Sequence, residues 1–196
     1  MPDAPAAPAG PPPDLTLPEL RERLWDELVA AAGQRAHPWR TPVLATVGQA
    51  ADGAVAADAR TVVLREVDAP ARELVFFTDA RSPKAAQLAA HPQATLVCWS
   101  AALGWQLRLA VTLTLEHEGL AVSTRWARLK MSPAADDYLS PLPPGTPVAH
   151  PAPERGTRAH FAVVTARVDR MDWLALAATG HRRAAFDADG ARWLQP

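Results

Sequence analysis

The sequence predicts a mostly β chain with flanking helices, its strands following one another closely enough to make a closed or nearly closed barrel. Three observations carry that expectation. Runs of β-branched and aromatic residues recur at 41–47, 61–67, 73–78, 94–100, 103–118 and 161–171. Turn residues separate them, without the regular helical crossovers that a doubly wound sheet needs. The 103–118 run alternates cleanly, with Gln106, Arg108, Ala110, Thr112 and Thr114 on one face and Leu107, Leu109, Val111, Leu113 and Leu115 on the other, the period of a strand with one face in a core. Finally, 196 residues are enough for one domain with a proper core and too few for two large ones.

In chain order, residues 1–14 are Pro, Ala and Gly with almost no large apolar side chain, so burial cannot offset their ordering entropy, and a disordered tail is expected. Residues 15–196 are expected to form the single domain. Leu20, Leu24, Leu28 and Ala31 recur at helical spacing, which predicts an amphipathic helix over 18–32 lying on a sheet. Residues 41–47 read as the first strand and 48–53 as a turn leading towards Arg60. Two paired strands, 61–67 and 73–78, flank a turn at Asp68, Ala69, Pro70 and Ala71. Ser82 is a good N-cap and Pro83 suits the first helical position, opening a helix that His91 and Pro92 close before the 94–100 strand. Residues 120–131 suit a helix expected to cover a barrel opening. Residues 132–158, crowded with Pro and Gly, suit a loop with one helical turn at 133–139. The strand at 161–171, a last hairpin over 172–187 and a closing strand at 192–194 bring the total to about seven strands in a meander.

Composition excludes several functions. The 20 basic and 21 acidic residues, a net charge of −1 and a pI near 6.6 leave no electrostatic footprint for nucleic acid or an anionic membrane. No apolar run is long enough to span a bilayer and the N-terminus lacks the order of a signal peptide, so a cytoplasmic protein is expected. Cys98 is the one cysteine and sits in an apolar strand, where a buried thiol is expected. The six histidines show no metal-ligand spacing, and there is neither a GxSxG elbow nor a P-loop. Asp136 and Asp137 read as a solvated turn.

The stretch from Arg60 to Leu88 is organised like a phosphate-binding device. The free N–H groups and partial positive charge of the helix that Ser82 opens, together with Arg60, Arg65, Arg81 and Lys84, offer an anion several charge-assisted donors. By spacing alone the same residues suit a capped surface helix with solvated cations.

The run R-T-V-V-L-R at 60–65, followed after a hairpin by F-F-T-D-A-R-S-P-K-A-A-Q-L at 76–88, resembles the FMN-binding signature of the pyridoxamine 5′-phosphate oxidase-like split-barrel proteins. The likeness continues through the W-Q-L-R strand at 105–108, Trp173, the H-R-R run at 181–183 and the terminal W-L-Q-P. It implies a split barrel that binds FMN at the interface of a homodimer. Arg60 and Lys84 would meet the FMN phosphate, with Thr78 and Ser82 adding hydroxyl donors. Thr61, Val62, Val63 and Leu64 would run along the flavin with Phe77 near by, and Arg65 would serve a cofactor or substrate anion. Gln106 would reach the ring, and Trp173 and Arg183 would come from the other subunit. For the valines, Phe77 and Trp173, plain barrel core is the alternative.

Departures from the signature separate this chain from the true oxidases. Pro83 stands where those enzymes carry a second basic residue, with Arg81 as the nearest substitute. Tyr138 matches the tyrosine of their substrate-phosphate clamp, but Pro141 and Leu142 occupy the serine and arginine positions. Arg125, Arg128 and Lys130 lie just upstream. The resemblance therefore implies an FMN-dependent oxidoreductase of unknown substrate, with a non-catalytic flavin- or haem-type binding protein as the alternative.

Overall fold

The computed structural model describes residues 15–50, 52–150, 155–156, 159–178 and 180–196; the tail expected at 1–14 lies outside them. Helix α1, Leu17–Gly33, begins where the Thr16 N–H donates to the Glu19 carboxylate at 2.8 Å, and Pro18 occupies the first turn. Its Leu20, Leu24, Leu28 and Ala31 stripe is fully buried, each leucine contributing about 2 kcal/mol by its removal from water.

Nine strands are found among the described residues: β1 Val43–Gln49, β2 Val55–Thr61, β3 Leu64–Asp68, β4 Glu73–Asp79, β5 Gln93–Ser100, β6 Trp105–Glu116, β7 Phe161–Ala175, β8 Arg182–Asp187 and β9 Gly190–Leu194. Helix α2, Pro83–Ala90, follows β4, and α3, Leu120–Leu129, follows β6 with a 3-10 segment at Pro133–Tyr138. The sheet is antiparallel in the order β2-β1-β5-β6-β7-β4-β3, with β8 and β9 continuing from β7. It does not close. β2 and β3 are consecutive in the chain yet unpaired, joined by Val62 and Val63 at opposite ends of the strand order, which is the open seam of a split barrel.

Three details correct the sequence-based expectations. The 61–67 strand is two strands in different hairpins: Arg60 belongs to β2 and pairs with Leu44, whereas Arg65 belongs to β3 beside β4. The alanines of residues 55–60 have weak intrinsic strand preference, but the full-length ladder with β1 overrides it. The 161–171 strand and the first arm of the expected last hairpin are one strand, β7, and the described residues hold nine strands where about seven were expected. Nor is the order a plain meander, because β1 pairs with β5 and β4 with β7 across several intervening elements.

β7 pairs along one edge with β6 and along the other first with β4 and then with β8. At the changeover, Val111 pairs with Val168 and Ala110 with Arg170, leaving Asp169 as the extra residue of a bulge that bends the strand from one partner to the next. The main core gathers Leu44, Leu64, Leu74, Phe76, Leu96, Leu107, Leu109 and the T-shaped pair Trp105–Trp173, at 5.4 Å, inside the sheet. On the opposite face of β4, Val75 and Phe77 join Val122, Trp126, Tyr138, Phe161 and Val163 in a second cluster. Helix α3 thus packs on that face of β4 and β7 rather than over a barrel opening. Cys98 is buried and its thiol is pushed up to about 12, so it stays protonated at neutral pH.

Candidate functional site

β4 and α2 bring together the side chains of a candidate anion recess. Thr78 at the end of β4 and Ser82 at the start of α2 are both buried, and their hydroxyls lie 3.1 Å apart. Ser82 occupies the N-cap position with its side chain turned to Thr78 rather than to the helix N–H groups. Lys84 donates to Thr78 Oγ1 at 3.0 Å, the one hydrogen bond of its ammonium group among the described residues. Burial lowers the Lys84 pKa, and the nearby Arg60 guanidinium lowers it further, against the pull of Asp79 and Asp58. Lys84 is therefore held on a pair of buried hydroxyls within repulsive range of Arg60, an arrangement that a bound dianion would relieve.

Arg60 is fixed by residues that the sequence motif does not name. Its Nη2 donates to Gln87 Oε1 at 2.9 Å, its Nη1 to Thr46 Oγ1, and it pairs with Asp58. Thr46 in turn donates to Gln87 Oε1 at 2.7 Å, and Gln87 Nε2 donates to Asp58 at 2.8 Å. The Gln87 amide holds the Asp58 carboxyl below its ordinary range against the opposing effect of burial, and Arg60 adds to the lowering. Gly48 makes room for this bridge: a Cβ there would stand 2.9 Å from Gln87 Nε2. Thr46, Asp58 and Gln87 were legible in part. Lys84, Gln87 and Leu88 lie on neighbouring turns of one helix face, and Asp58 shares the strand face of Arg60.

The remaining predicted residues fall into other groups. Val62 and Leu64 are buried in the main core, Thr61 is exposed, and Val63 lies half-buried in the link between β2 and β3. Arg65 lies with its guanidinium 5.6 Å from the Phe77 ring centre, against Tyr138. Gln106 and Arg183 line up across β6, β7 and β8 through Leu174, with Trp99 completing the row on β5. Arg183 holds Asp172 in a two-pronged pair at 3.0 and 2.8 Å. Trp173 points to the other side and is buried against Trp105. No hydrogen bond or ion pair among the described residues links the Gln106–Arg183 row to the recess. Arg81 cannot replace the basic residue missing at Pro83: Asp79 takes it at 2.7 Å, and the Ser140 and Pro141 carbonyls accept from it at 2.9 and 3.2 Å. Among the described residues no cluster of three or more His, Cys, Asp or Glu could hold a metal ion.

The recess residues fall within residues 22–116, which match the family model described as pyridoxamine 5′-phosphate oxidase, FMN-binding domain. A pyridoxine/pyridoxamine 5′-phosphate oxidase of Granulibacter bethesdensis is 31% identical over 159 residues, covering 70% of this chain and 72% of that protein. Among solved structures, a pyridoxamine 5′-phosphate oxidase-related FMN-binding protein of Nostoc punctiforme superposes with a TM-score of 0.67 at 24% identity, over 93% of this chain and 100% of that one. PhzG of Burkholderia lata, solved with tetrahydrophenazine-1-carboxylic acid, gives 0.66 at 20% identity, over 94% and 95%. These two superpositions speak to the fold alone. Taken with the sequence match to the oxidase, they place the chain: it belongs to the pyridoxamine 5′-phosphate oxidase-like family.

Proposed function

We propose that residues 15–196 act as one FMN-binding domain and that the protein is an FMN-dependent oxidoreductase working as a cytoplasmic homodimer. The observation that carries this reading is Lys84 held on the buried Thr78–Ser82 hydroxyl pair within electrostatic reach of Arg60. That recess suits a phosphate monoester: Lys84, two hydroxyls and the α2 N-terminus meet there, with Arg60 within electrostatic reach. Arg60, Lys84, Thr78 and Ser82 would hold the FMN phosphate, and Thr61, Val62, Val63 and Leu64 would follow the flavin towards Phe77 and Arg65.

Bound FMN would supply reversible hydride or electron uptake, the protein supplying position and electrostatics. The division of the candidate residues supports the dimer. Gln106 and Arg183 occupy a sheet face apart from the recess, beside Val43 and Trp99, which are 38% and 47% exposed. A second copy that brought its own such row, with Trp173 behind it, to the recess would complete the ring-binding half. Among the described residues no helix is long and apolar enough to cross a membrane, which agrees with the proposed location.

The test is direct. Purified protein should be yellow and should release FMN on denaturation. NADH or NADPH should bleach the bound flavin, with recovery in air. A flavin that no reductant reaches would favour a carrier, and haem in place of flavin would refute the reading.

A further inference from the structure

We propose that Gln87 is a positioning residue for a bound phosphate: its amide keeps Arg60 and Asp58 from closing into a two-pronged pair and so spares the Arg60 Nε–H for that ligand. The proposal rests on the reading above in taking the phosphate to be the one that FMN carries.

Three arginines among the described residues hold a carboxylate with a side-on fork of Nε and Nη2. Arg183 takes Asp172 in this way at 3.0 and 2.8 Å, Arg125 takes Glu66 at 3.0 and 2.7 Å, and Arg81 takes Asp79 at 3.1 and 2.7 Å. The fork is the strong form of such a pair, and it spends Nε each time. Arg60 is as well shielded as these three, its side chain 19% exposed against 30%, 25% and 22%. Yet it departs from the pattern. It meets Asp58 Oδ2 through Nη2, and its Nε makes no hydrogen bond among the described residues.

Gln87 accounts for the difference. Its Oε1 accepts from Arg60 Nη2 at 2.9 Å and its Nε2 donates to Asp58 Oδ2 at 2.8 Å, so the amide occupies both partners at the atoms where they meet. Only one orientation of the amide serves, because the guanidinium can only donate and the carboxylate can only accept. Thr46, buried on β1, accepts from Arg60 Nη1 and donates its own hydroxyl to Gln87 Oε1 at 2.7 Å. To reach Asp58 with Nε, the guanidinium would have to turn and give up both Gln87 and Thr46. Gln87 also lies one turn from Lys84 on the same face of α2, so the helix that carries one cation fixes the other.

Binding of FMN, and of riboflavin, which lacks the phosphate, to apoprotein tests the proposal by flavin fluorescence quenching. Gln87→Ala should lower the preference for FMN over riboflavin about three- to tenfold, the effect of withdrawing one positioned side chain from a ligand, and leave riboflavin affinity unaltered. Gly48→Ala would set a Cβ 2.9 Å from Gln87 Nε2, the far end of a flexible side chain, and should act in the same direction with the fold intact. Adding Asp58→Asn to Gln87→Ala removes the carboxylate that captures Nε and should restore the preference. An unaltered preference in Gln87→Ala, an equal loss of affinity for both flavins, or a further loss on adding Asp58→Asn would each overturn the proposal. The Arg60 Nε–H resonance of apoprotein, assigned by its absence in Arg60→Lys, separates the two readings: it should move downfield in Gln87→Ala and return in the double variant. Wild-type protein without a preference for FMN, together with that movement, refutes the FMN site and upholds the role of Gln87, whereas flavin-loaded protein with a stationary resonance does the reverse.

Discussion

Gln87 and Asp58 are joined by a 2.8 Å hydrogen bond that ties helix α2 to strand β2 beside Arg60. Asp58 also pairs with Arg60, so the carboxylate serves as a counter-ion to a cation proposed to meet the FMN phosphate. Replacing it by Asn removes a charge that repels a bound phosphate while leaving an amide to face Gln87. Asp58→Asn should tighten FMN binding about two- to fivefold, the range of an exposed charge pair. Flavin fluorescence quenching on titration of apoprotein measures it; weaker binding would mean that Asp58 matters more as a support for Arg60.

Lys84→Ala should release FMN. Losing one charge-assisted contact to a phosphate costs about 1.5 to 3 kcal/mol, or roughly a 10- to 150-fold rise in Kd. The flavin-to-protein ratio after gel filtration reads it.

The lowered Lys84 pKa also gives FMN affinity a pH dependence. A bound phosphate favours the charged ammonium and raises that pKa, so binding takes up protons between the lowered free value and the raised bound one. Affinity should fall as pH rises through that window, beginning below the ordinary lysine range. A Kd that stays flat until ordinary lysines titrate would show that Lys84 does not meet the phosphate.

Turnover of pyridoxamine 5′-phosphate should be weak. Residues 131–150 contain no Arg or Lys, and Pro141 and Leu142 stand at two positions of the clamp that the resemblance implies. Arg81, which reaches that loop, is committed to Asp79 and to the Ser140 and Pro141 carbonyls. Peroxide release by FMN-loaded protein given this substrate is the measurement, and efficient oxidation would contradict the expectation.

Asp172 predicts the acid limb of stability. Burial pushes its carboxyl up, but hydrogen bonds and charge from Arg183, with Arg108 and Arg170, outweigh that and hold it low. A depressed folded-state value contributes stability above the ordinary carboxylate range, lost as pH falls towards that value. Asp172→Asn should flatten the decline in urea midpoint between neutral and acidic pH. An unchanged acid limb would assign it to other carboxylates.

Much of the fold was legible because its strands carry their burial pattern openly. β6 alternates as predicted, with Leu107, Leu109, Val111 and Leu113 buried, and the helix stripe of Leu20, Leu24 and Leu28 is as clear. What local pattern could not reveal was long-range pairing. Val55–Thr61 is a strand because β1 lies beside it, and nothing in its own alanines says so. The motif named Arg60, Thr78, Ser82 and Lys84; the fold joins the last three by hydrogen bonds and leaves Arg60 within electrostatic reach of Lys84. It did not name Thr46, which reaches Arg60 only across the β1–β2 hairpin, or reveal that Arg81 would be taken by neighbouring carbonyls. Trp173 lay beyond a motif-based argument: strand parity alone decides that it faces the core while Arg183 and Gln106 face outward.

The position of β7 in the chain bears on how the protein is made. β4 is complete by Asp79, yet the strand that covers its free edge begins at Phe161 and pairs with it through Arg167. During synthesis the β1–β2 and β3–β4 hairpins emerge early, but one edge of β4 waits for about half of the chain before it finds its partner. Contacts so distant in sequence make for slow folding and leave an apolar strand edge open meanwhile. A ribosome-bound chain stopped before residue 161 should therefore depend on chaperones, and one extended past residue 175 should need them far less.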